Sequence, residues 1–306
     1  MGLRDDQHKS QINGSKTKKK IYSNKTTLKS DKKSIFQKTS KKNNLSNPKY
    51  WVLPNRKKFI EWIDKQFDLF KYSNRSKLQE SDFFPHQQLI KNYLQMDSPY
   101  RGILLYHSLG SGKSCSSILT AENFIQEKKI IVMLPASLEK NYIEELKKCG
   151  STEIKLDNHW TKVYIQYRDP DTFYKYPKTI DKFNGFWKIN KKLKSNYQSL
   201  GDEDKKEINF QIEEQIKINY KFIHYNGLRI KNLEDFEKDK DFFNNKVIIV
   251  DEIHNLISMM VGNGVIGNKL YKMMMEAENS RFIFLSGTPM INYPFELSIL
   301  FNLLRG

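Results

Sequence analysis

The segment YHSLGSGKS at residues 106–114 constrains this chain more than any other feature. It follows the apolar run 102–105, and this order predicts a strand, a tight glycine turn and then a helix. Such a turn holds backbone N–H groups around phosphate groups at the start of the helix. Gly110 and Gly112 allow the backbone a close approach and a positive φ. The segment therefore predicts a phosphate-binding loop in an α/β fold. The alternative is a chance glycine turn before an ordinary helix.

Two side chains of this loop suit the chemistry of a nucleotide. Lys113 would reach the β- and γ-phosphates, and the Ser114 hydroxyl would bind Mg²⁺. The pattern G-x-x-x-x-G-K-[ST] ordinarily has glycine at the position of His107. The residues of this segment that we predict to bind the nucleotide are His107, Ser108, Leu109, Gly110, Ser111, Gly112, Lys113, Ser114 and Cys115.

Two acidic residues follow the most strongly predicted strand of the sequence. Asp251 and Glu252 come directly after the apolar run 246–250, and parallel sheets bind ligands at the carboxyl ends of their strands. A nucleotide on the phosphate-binding loop would face both acids. Asp251 would hold Mg²⁺ together with Ser114, and Glu252 would polarise the attacking water as general base. The alternative for Asp251 is a helix N-cap before the helical run 255–260.

A third polar segment ends another apolar strand. Ser286, Gly287 and Thr288 follow the run 281–285. Small hydroxyl residues beside a glycine can form a hydrogen-bonded latch between the acidic pair and a second surface. The alternative is an ordinary turn at the end of a strand, for which Ser-Gly-Thr-Pro is equally suitable chemistry.

The positive charge of the chain is concentrated at its beginning. Residues 1–49 hold fourteen Lys or Arg and three Asp or Glu, a net charge of +11 out of +17 for all 306 residues. This segment is poor in apolar side chains, so we predict a disordered basic arm. Attraction to nucleic acid or nuclear targeting is one interpretation, and a solvated tail without a specific partner is the other.

Membrane insertion and secretion are not expected. The sequence has no apolar stretch of about 20 residues and no apolar segment of the signal-peptide type at its start. Cys115 and Cys149 lie far apart with no metal-ligand spacing nearby, so we predict two reduced thiols. We expect the protein to be intracellular.

The order of apolar segments predicts the architecture. Residues 50–80 read as a helical lead-in, with an amphipathic helix whose apolar face holds Phe59, Ile60, Ile63, Phe67 and Phe70. Further along, apolar strands alternate with amphipathic helices, which favours a parallel sheet covered on both faces. The polar, lysine-rich part of residues 151–220 interrupts this alternation, and we interpret 151–220 as an insertion. A short strand at 163–165 and a helix towards residue 220 are expected within it.

Taken together, the polar segments resemble the first motor domain of superfamily 2 helicases. Residues 107–114 correspond to motif I, 251–254 (DEIH) to motif II and 286–288 to motif III. The combination of LLYHSLGSGKS, LPASLEKNYIEEL, DEIHN and SGTPMINYPFELSILFNLL is similar to one branch of that superfamily. This branch holds the poxvirus-type nucleoside triphosphatase I, the small subunit of the viral early transcription factor and relatives in giant DNA viruses, and it accepts histidine at position 107.

The resemblance covers residues 81–306 and assigns further roles. It implies a single RecA-like P-loop domain, with Lys113, Asp251 and Glu252 as catalytic residues. Gln87 in the FPHQ segment would read the adenine edge. The residues that would couple the site to movement are His254, Ser286, Gly287 and Thr288. Those that would contact nucleic acid are Pro135, Ser137, Tyr225 and Asn226, with core packing as the alternative for Tyr225.

The resemblance also implies cofactors, partners and a limit on activity. It implies ATP and Mg²⁺, a DNA or RNA partner, and a viral RNA polymerase or a second motor domain or chain. A superfamily 2 motor needs two RecA-like domains, and the second supplies arginine residues to the transferred phosphoryl group. No candidate for the later motifs follows 286–288, so we expect half a motor that binds ATP and hydrolyses it slowly. The alternatives are a non-catalytic binding or assembly module and the motor subunit of a restriction-type translocase.

Overall fold

The computed structural model describes residues 50–71, 84–107, 112–164, 175–239, 241–262, 264–290 and 292–306. The predicted basic arm, residues 1–49, and residues 108–111 of the phosphate-binding loop lie outside the described residues. None of the helices in the described part of the chain is both long and apolar enough to cross a membrane.

A parallel sheet forms the centre of the fold. The strands within the described residues are β1 (Gly102–Tyr106), β2 (Lys129–Leu134), β3 (Trp160–Tyr164), β4 (Gly185–Ile189), β5 (Tyr220–His224), β6 (Lys246–Val250) and β7 (Arg281–Ser286). Five of them form one sheet in the order β1-β7-β6-β2-β5, and each neighbouring pair is parallel. Their carboxyl ends therefore share one edge.

Helices cover both faces of this sheet. Those in the described residues are α1 (Phe59–Lys71), α2 (Pro85–Tyr93), α3 (Lys113–Ala121), α4 (Glu139–Cys149), α5 (Pro177–Phe183), α6 (Asp202–Asn219), α7 (Ile230–Lys238), α8 (Ile253–Val261), α9 (Val265–Glu276) and α10 (Glu296–Arg305). Alternate residues of one strand enter two separate cores: Val247 and Ile249 face one, whereas Ile248 and Val250 face the other. The predicted α/β fold with a parallel sheet flanked by helices is confirmed.

Strand predictions were accurate where both faces of the strand are buried. The apolar runs 246–250 and 281–285 lie in β6 and β7. The prediction for the first helix was wrong at Ile60, which is 72% exposed, whereas Trp62, at 4%, is buried instead. The side chain of Phe70 lies outside the described residues. The Trp62 ring contacts Phe59 and Tyr100. An aromatic cluster therefore sets the buried face, which helical spacing alone did not reveal.

Residues between α4 and β5 build a small unit beside the sheet. β3 and β4 pair antiparallel there, and α6 packs against β4. The side-chain amide of Gln211 accepts from the backbone N of Trp187 at 2.7 Å and donates to its carbonyl at 2.8 Å. Strand β4 was not predicted. Its backbone is held by this side chain as well as by β3, a contact that sequence patterning does not show.

Glu122, which follows α3, provides a test of the packing between α3 and β5. The Tyr220 hydroxyl donates to Glu122 Oε1 at 2.6 Å, and burial raises the pKa of the Glu122 carboxyl. The folded state therefore prefers the neutral acid, so the free energy of unfolding falls as pH rises from about 4 through the raised pKa. Glu122→Gln keeps an acceptor for Tyr220 and cannot ionise. We expect it to raise the melting temperature at pH 8 and to change it little at pH 4.

Thermal unfolding followed by circular dichroism measures this effect. Glu127→Gln, at an exposed position nearby, is the matched control and should show no such dependence on pH. A Glu122→Gln variant that melts lower than the wild type at pH 8 would show that the ionised carboxylate stabilises the fold, contrary to this account.

Candidate functional site

Three of the sequence segments singled out above meet at the carboxyl edge of the sheet. In the register of the strands, Tyr106 at the end of β1 lies opposite Ser286, and Val250 at the end of β6 lies opposite Phe284. The phosphate-binding loop, the acidic pair and the Ser-Gly-Thr segment therefore leave adjacent strands β1, β6 and β7. The parallel topology brings these segments together, although they are far apart in the sequence.

Gly112 ends the loop in a conformation that favours glycine. Its φ is 77° and its ψ 31°, and an added Cβ would lie 2.8 Å from the Gln87 side-chain nitrogen. The expectation of a positive φ is confirmed at Gly112, whereas Gly110 lies outside the described residues. Lys113 begins α3, and its Nζ donates to the His107 carbonyl at 2.9 Å. The ammonium group therefore lies next to the end of β1, across the loop from its own backbone.

Gln87 contacts Gly112 at the end of this loop, and His107 lies at its beginning. Gln87 is 3% exposed; its side-chain nitrogen lies 3.4 Å from the Gly112 carbonyl, and its oxygen accepts from the Phe84 backbone at 3.0 Å. Gln87 thus joins α2 to the loop, and its contact with adenine stays a prediction. The His107 Nδ1 is buried without a hydrogen-bond partner among the described residues. Burial, with smaller effects of His86 and Lys113, lowers the pKa of His107.

Asp251 is a half-buried carboxyl with a raised pKa. Its backbone N donates to the Met133 carbonyl at 2.9 Å, which fixes the end of β6 against β2. Burial, followed by the negative charge of Glu252, raises the pKa of Asp251 to about 6, and Lys113 opposes this shift. A divalent cation would stabilise the ionised form of such a group, and the hydroxyl and carboxylate oxygens of Ser114 and Asp251 are ligands that Mg²⁺ accepts. The side chains present therefore fit a Mg²⁺ ion.

A series of polar contacts joins the acidic pair to the Ser-Gly-Thr segment. The His254 Nδ1 lies 3.3 Å from Glu252 Oε2 and 2.9 Å from the Ser286 hydroxyl oxygen. The backbone N of Thr288 donates to the same Ser286 oxygen at 2.9 Å. Glu252 itself has a φ of 50°, a left-handed conformation that costs roughly 1 kcal/mol or more in a residue with a Cβ. Because His254 contacts both Ser286 and Glu252, a displacement of residues 286–288 would act directly on the position of Glu252.

The cleft beside these residues has one wall that the sequence did not predict. Its volume is about 400 Å³, and its lining residues are Gly112, Lys113, Ser114, Leu138, Asn141, Tyr142, Glu145, Asp251 and Glu252. Helix α4 contributes Asn141, Tyr142 and Glu145. The Tyr142 hydroxyl lies 2.9 Å from the Ser117 hydroxyl, and burial raises the pKa of Tyr142. Leu138, Tyr142 and Leu146 recur at helical spacing in the sequence, but this spacing carries no signal that the helix lines the cleft.

The predicted nucleic-acid contacts lie where two neighbouring strands end. Pro135 and the exposed Ser137 follow β2, and the exposed Asn226 follows β5. His224, the last residue of β5, forms a close contact with the Glu139 carboxylate at the start of α4. This contact, which the sequence did not predict, joins the two segments at one edge.

Tyr225 requires a correction. The tyrosine is 2% exposed, and its hydroxyl lies 2.9 Å from the Asp251 carbonyl and 3.1 Å from the Glu252 carbonyl. Its side chain therefore supports the backbone of the acidic pair and is not available to nucleic acid in this structure. The packing alternative is what the structure shows.

The prediction of two separate thiols is also wrong. Cys115 in the first turn of α3 and Cys149 at the end of α4 form a disulfide, with their Cα atoms 5.4 Å apart. The Glu145 carboxylate lies 3.4 Å from the Cys115 sulfur. A separation of 34 residues gave no indication of this contact, because only the packing of α4 against α3 creates it. The disulfide ties together two helices that line the cleft.

Reduction of this bond should lower stability. Closing a loop of this length stabilises a fold by up to about 4 kcal/mol through the entropy of the unfolded chain. We expect the melting temperature to fall on addition of dithiothreitol, and a Cys149→Ser variant to melt at the lower temperature with or without it. Alkylation followed by mass spectrometry should find no free thiol in the non-reduced protein. Two alkylated cysteines without reductant would contradict the assignment.

Comparison with protein families places most of this chain in one of them. The family described as "Type III restriction enzyme, res subunit" matches residues 80–291. The match includes the phosphate-binding loop, the acidic pair and the Ser-Gly-Thr segment.

Several proteins of large DNA viruses are similar to this chain. Two proteins of Acanthamoeba polyphaga mimivirus, named as candidate ATP-dependent RNA helicases, are 26% identical over 254 residues and 30% identical over 270 residues. The alignments cover 80% and 83% of this chain, and 38% and 21% of the mimivirus proteins. A protein of African swine fever virus, named as a homologue of the termination factor NPH-I, is 26% identical over 209 residues, 67% of this chain and 22% of that protein. The chain thus spans less than two fifths of the length of these relatives.

Among solved structures, the SWI2/SNF2 ATPase core of Sulfolobus solfataricus in complex with double-stranded DNA aligns with 84% of this chain and 36% of that one, at 17% identity and a TM-score of 0.35. The family match to residues 80–291 and the viral relatives support the expected resemblance. The chain belongs to the Type III restriction enzyme res subunit family, a helicase-like family of superfamily 2.

Proposed function

We propose that this chain binds ATP with Mg²⁺ in the cleft between α3, α4 and the acidic pair, as the ATP-binding half of a nucleic acid helicase or translocase. The observation that carries the proposal is the convergence of Lys113, Asp251 and Ser286 on one edge of the sheet. Beyond what an ordinary strand-end turn provides, the Ser286 hydroxyl also contacts His254 of α8, which in turn lies beside Glu252.

Each side chain has a role that follows from its position. The Lys113 ammonium group at the start of α3 would bind the β- and γ-phosphates, where the helix N-terminus also favours negative charge. Ser114 and Asp251 would hold Mg²⁺, which when bound neutralises phosphate charge. Glu252 would take a proton from the attacking water. His254, which lies beside Glu252, would keep that carboxylate in place and transmit its state to Ser286 and Thr288.

We further propose that the polypeptide of residues 1–306 hydrolyses ATP slowly. Stabilisation of the transferred phosphoryl group by arginine residues of a second domain is worth roughly 10³-fold or more in related chemistry. Among the described residues, a single RecA-like sheet is present. We expect a low basal turnover that a second motor domain or chain would raise. The names of the viral relatives support a role in viral transcription, inside the host cell or the virion, with RNA or DNA as partner.

Phosphate release tests this function. Purified 1–306 should turn over ATP slowly, and addition of RNA or DNA should change this rate little. Robust turnover stimulated by nucleic acid would contradict the half-motor proposal.

The family description favours a second candidate, the motor of a restriction-type translocase. That candidate predicts that double-stranded DNA alone changes the affinity for nucleotide. A transcription motor of the viral type predicts instead that RNA or single-stranded DNA changes this affinity. Comparing double-stranded DNA, single-stranded DNA and RNA in one nucleotide-binding assay separates the two.

A further inference from the structure

The loop after β4 presents the least compensated positive charge in the described part of the insertion. We call residues 188–194, which are the last two residues of β4 and the turn that follows, the basic loop; its lysines are Lys188, Lys191, Lys192 and Lys194. All four lysines are exposed, and residues 184–201 contain no acidic side chain. A run of lysines is often only a solvated surface. Two observations bear on whether this loop binds a ligand: the ion-pair partners of the lysines and the hydrogen bonds of the loop backbone.

None of the four ammonium groups forms an ion pair with the residues that the structure describes. Other exposed lysines do: Lys206 pairs with Glu203, Lys238 with Asp235 and Lys272 with Glu276. The acidic groups nearest in the chain are Asp181 in α5 and the triplet Asp202, Glu203 and Asp204 in the first turn of α6. The triplet lies at a helix N-terminus, which attracts negative charge. The charge of the basic loop is therefore available to an external anion.

The backbone of the basic loop is held in place. The Asn190 side chain accepts from the Lys192 backbone N at 3.0 Å, and the Lys194 carbonyl lies 2.9 Å from the His159 Nδ1. Just after the loop, the Asn196 amide accepts from the Trp160 backbone N at 2.8 Å and donates to its carbonyl at 3.0 Å. A fixed backbone lowers the entropy lost when the lysines bind a partner.

We propose that the basic loop binds the phosphate backbone of nucleic acid, as a contact separate from the strand-end segments at Pro135, Ser137 and Asn226. Lysine is a compact charge that suits phosphate, and the contact should be independent of sequence. A membrane surface fits less well, because Leu193 is the one large apolar side chain exposed in this loop. The identity of the polyanion rests on the proposed nucleic acid motor function.

The test is the salt dependence of nucleic acid binding by the full chain. Fluorescence anisotropy with a labelled single-stranded and a labelled double-stranded oligonucleotide, at 50 to 200 mM salt, gives the slope of log K against log salt concentration. The variant carries Lys188→Gln, Lys191→Gln, Lys192→Gln and Lys194→Gln. Each phosphate contact contributes about 0.7 to 0.9 to the slope, so we expect a loss of up to about 3 and roughly tenfold or more weaker binding at low salt.

A matched control removes the same charge elsewhere. It carries glutamine at four exposed positions, Lys129, Lys231, Lys238 and Lys272. Equal effects of the two variants, or no effect of the first, would overturn the proposal. Loss of binding to anionic vesicles with unchanged nucleic acid binding would also overturn it, since the loop would then be a membrane contact.

Titration of the same proteins with a fluorescent ATP analogue separates this proposal from the proposed function. The basic-loop variant should bind the nucleotide like the wild type. Failure of the wild type to bind the nucleotide would contradict the proposed function. The slopes of log K against log salt concentration would still show whether the basic loop binds nucleic acid.

Discussion

Lys113→Ala is expected to weaken ATP binding by about 100-fold, which corresponds to roughly 3 kcal/mol for a charge-assisted hydrogen bond lost from a partly buried site. The Lys113 Nζ lies at the end of β1, 2.9 Å from the His107 carbonyl, at the rim of the cleft. Truncation removes the cation that would face the β- and γ-phosphates. Isothermal titration calorimetry with ATP and Mg²⁺ measures the effect.

Lys129→Ala is the matched control for this substitution. Lys129 is exposed at the beginning of β2, at the edge of the sheet opposite to the cleft, and its Nζ contacts Asn219 Oδ1. It should bind ATP like the wild type. Equal affinities of wild type and Lys113→Ala, with both proteins folded by circular dichroism, would mean that the nucleotide does not bind at this loop.

Glu252→Gln is expected to separate binding from chemistry. The amide has the same shape as the carboxylate but cannot accept the proton of the attacking water, so we expect hydrolysis to fall by about 10² to 10⁴-fold. ATP affinity should change little, since the removed charge is assigned to the water and not to the phosphates. Because basal turnover is expected to be slow, single-turnover hydrolysis of labelled ATP with the protein in excess is the suitable measurement.

Glu278→Gln changes an exposed carboxylate at the opposite edge of the sheet and should leave both quantities unchanged. A Glu252→Gln variant with wild-type hydrolysis would exclude Glu252 as the base. A variant that loses binding and hydrolysis together would instead point to a structural role for Glu252. The left-handed φ of Glu252 is the reason to consider this alternative.

The sequence predicted those parts of the fold that depend on local pattern. Strands such as β6 are buried on both faces, so their apolar runs are unambiguous. Parallel strands also share a carboxyl edge, which is why residues as distant as Lys113 and Asp251 could be expected at one site. Strand β4 was missed because the Gln211 amide and β3, both remote in the chain, complete its hydrogen bonds.

Residues placed by tertiary packing could not be predicted in the same way. Asn141 and Glu145 reach the cleft only because α4 lies beside α3. That packing also brings Cys149 to Cys115. Tyr225 had two possible environments at a strand end, and only the structure shows its hydroxyl next to the backbone of the acidic pair. The roles assigned to Gln87, Pro135, Ser137 and Asn226 stay predictions.

Binding of ATP to the wild-type chain, with and without Mg²⁺, tests the central claim most directly. Calorimetric titration of folded 1–306 should show saturable binding at one site per chain. Mg²⁺ should strengthen this binding above pH 6, where the Asp251 carboxyl, with its pKa of about 6, is ionised. Absence of saturable ATP binding, or binding that neither Mg²⁺ nor the loss of the Lys113 side chain changes, would contradict the assignment of this cleft as a nucleotide site.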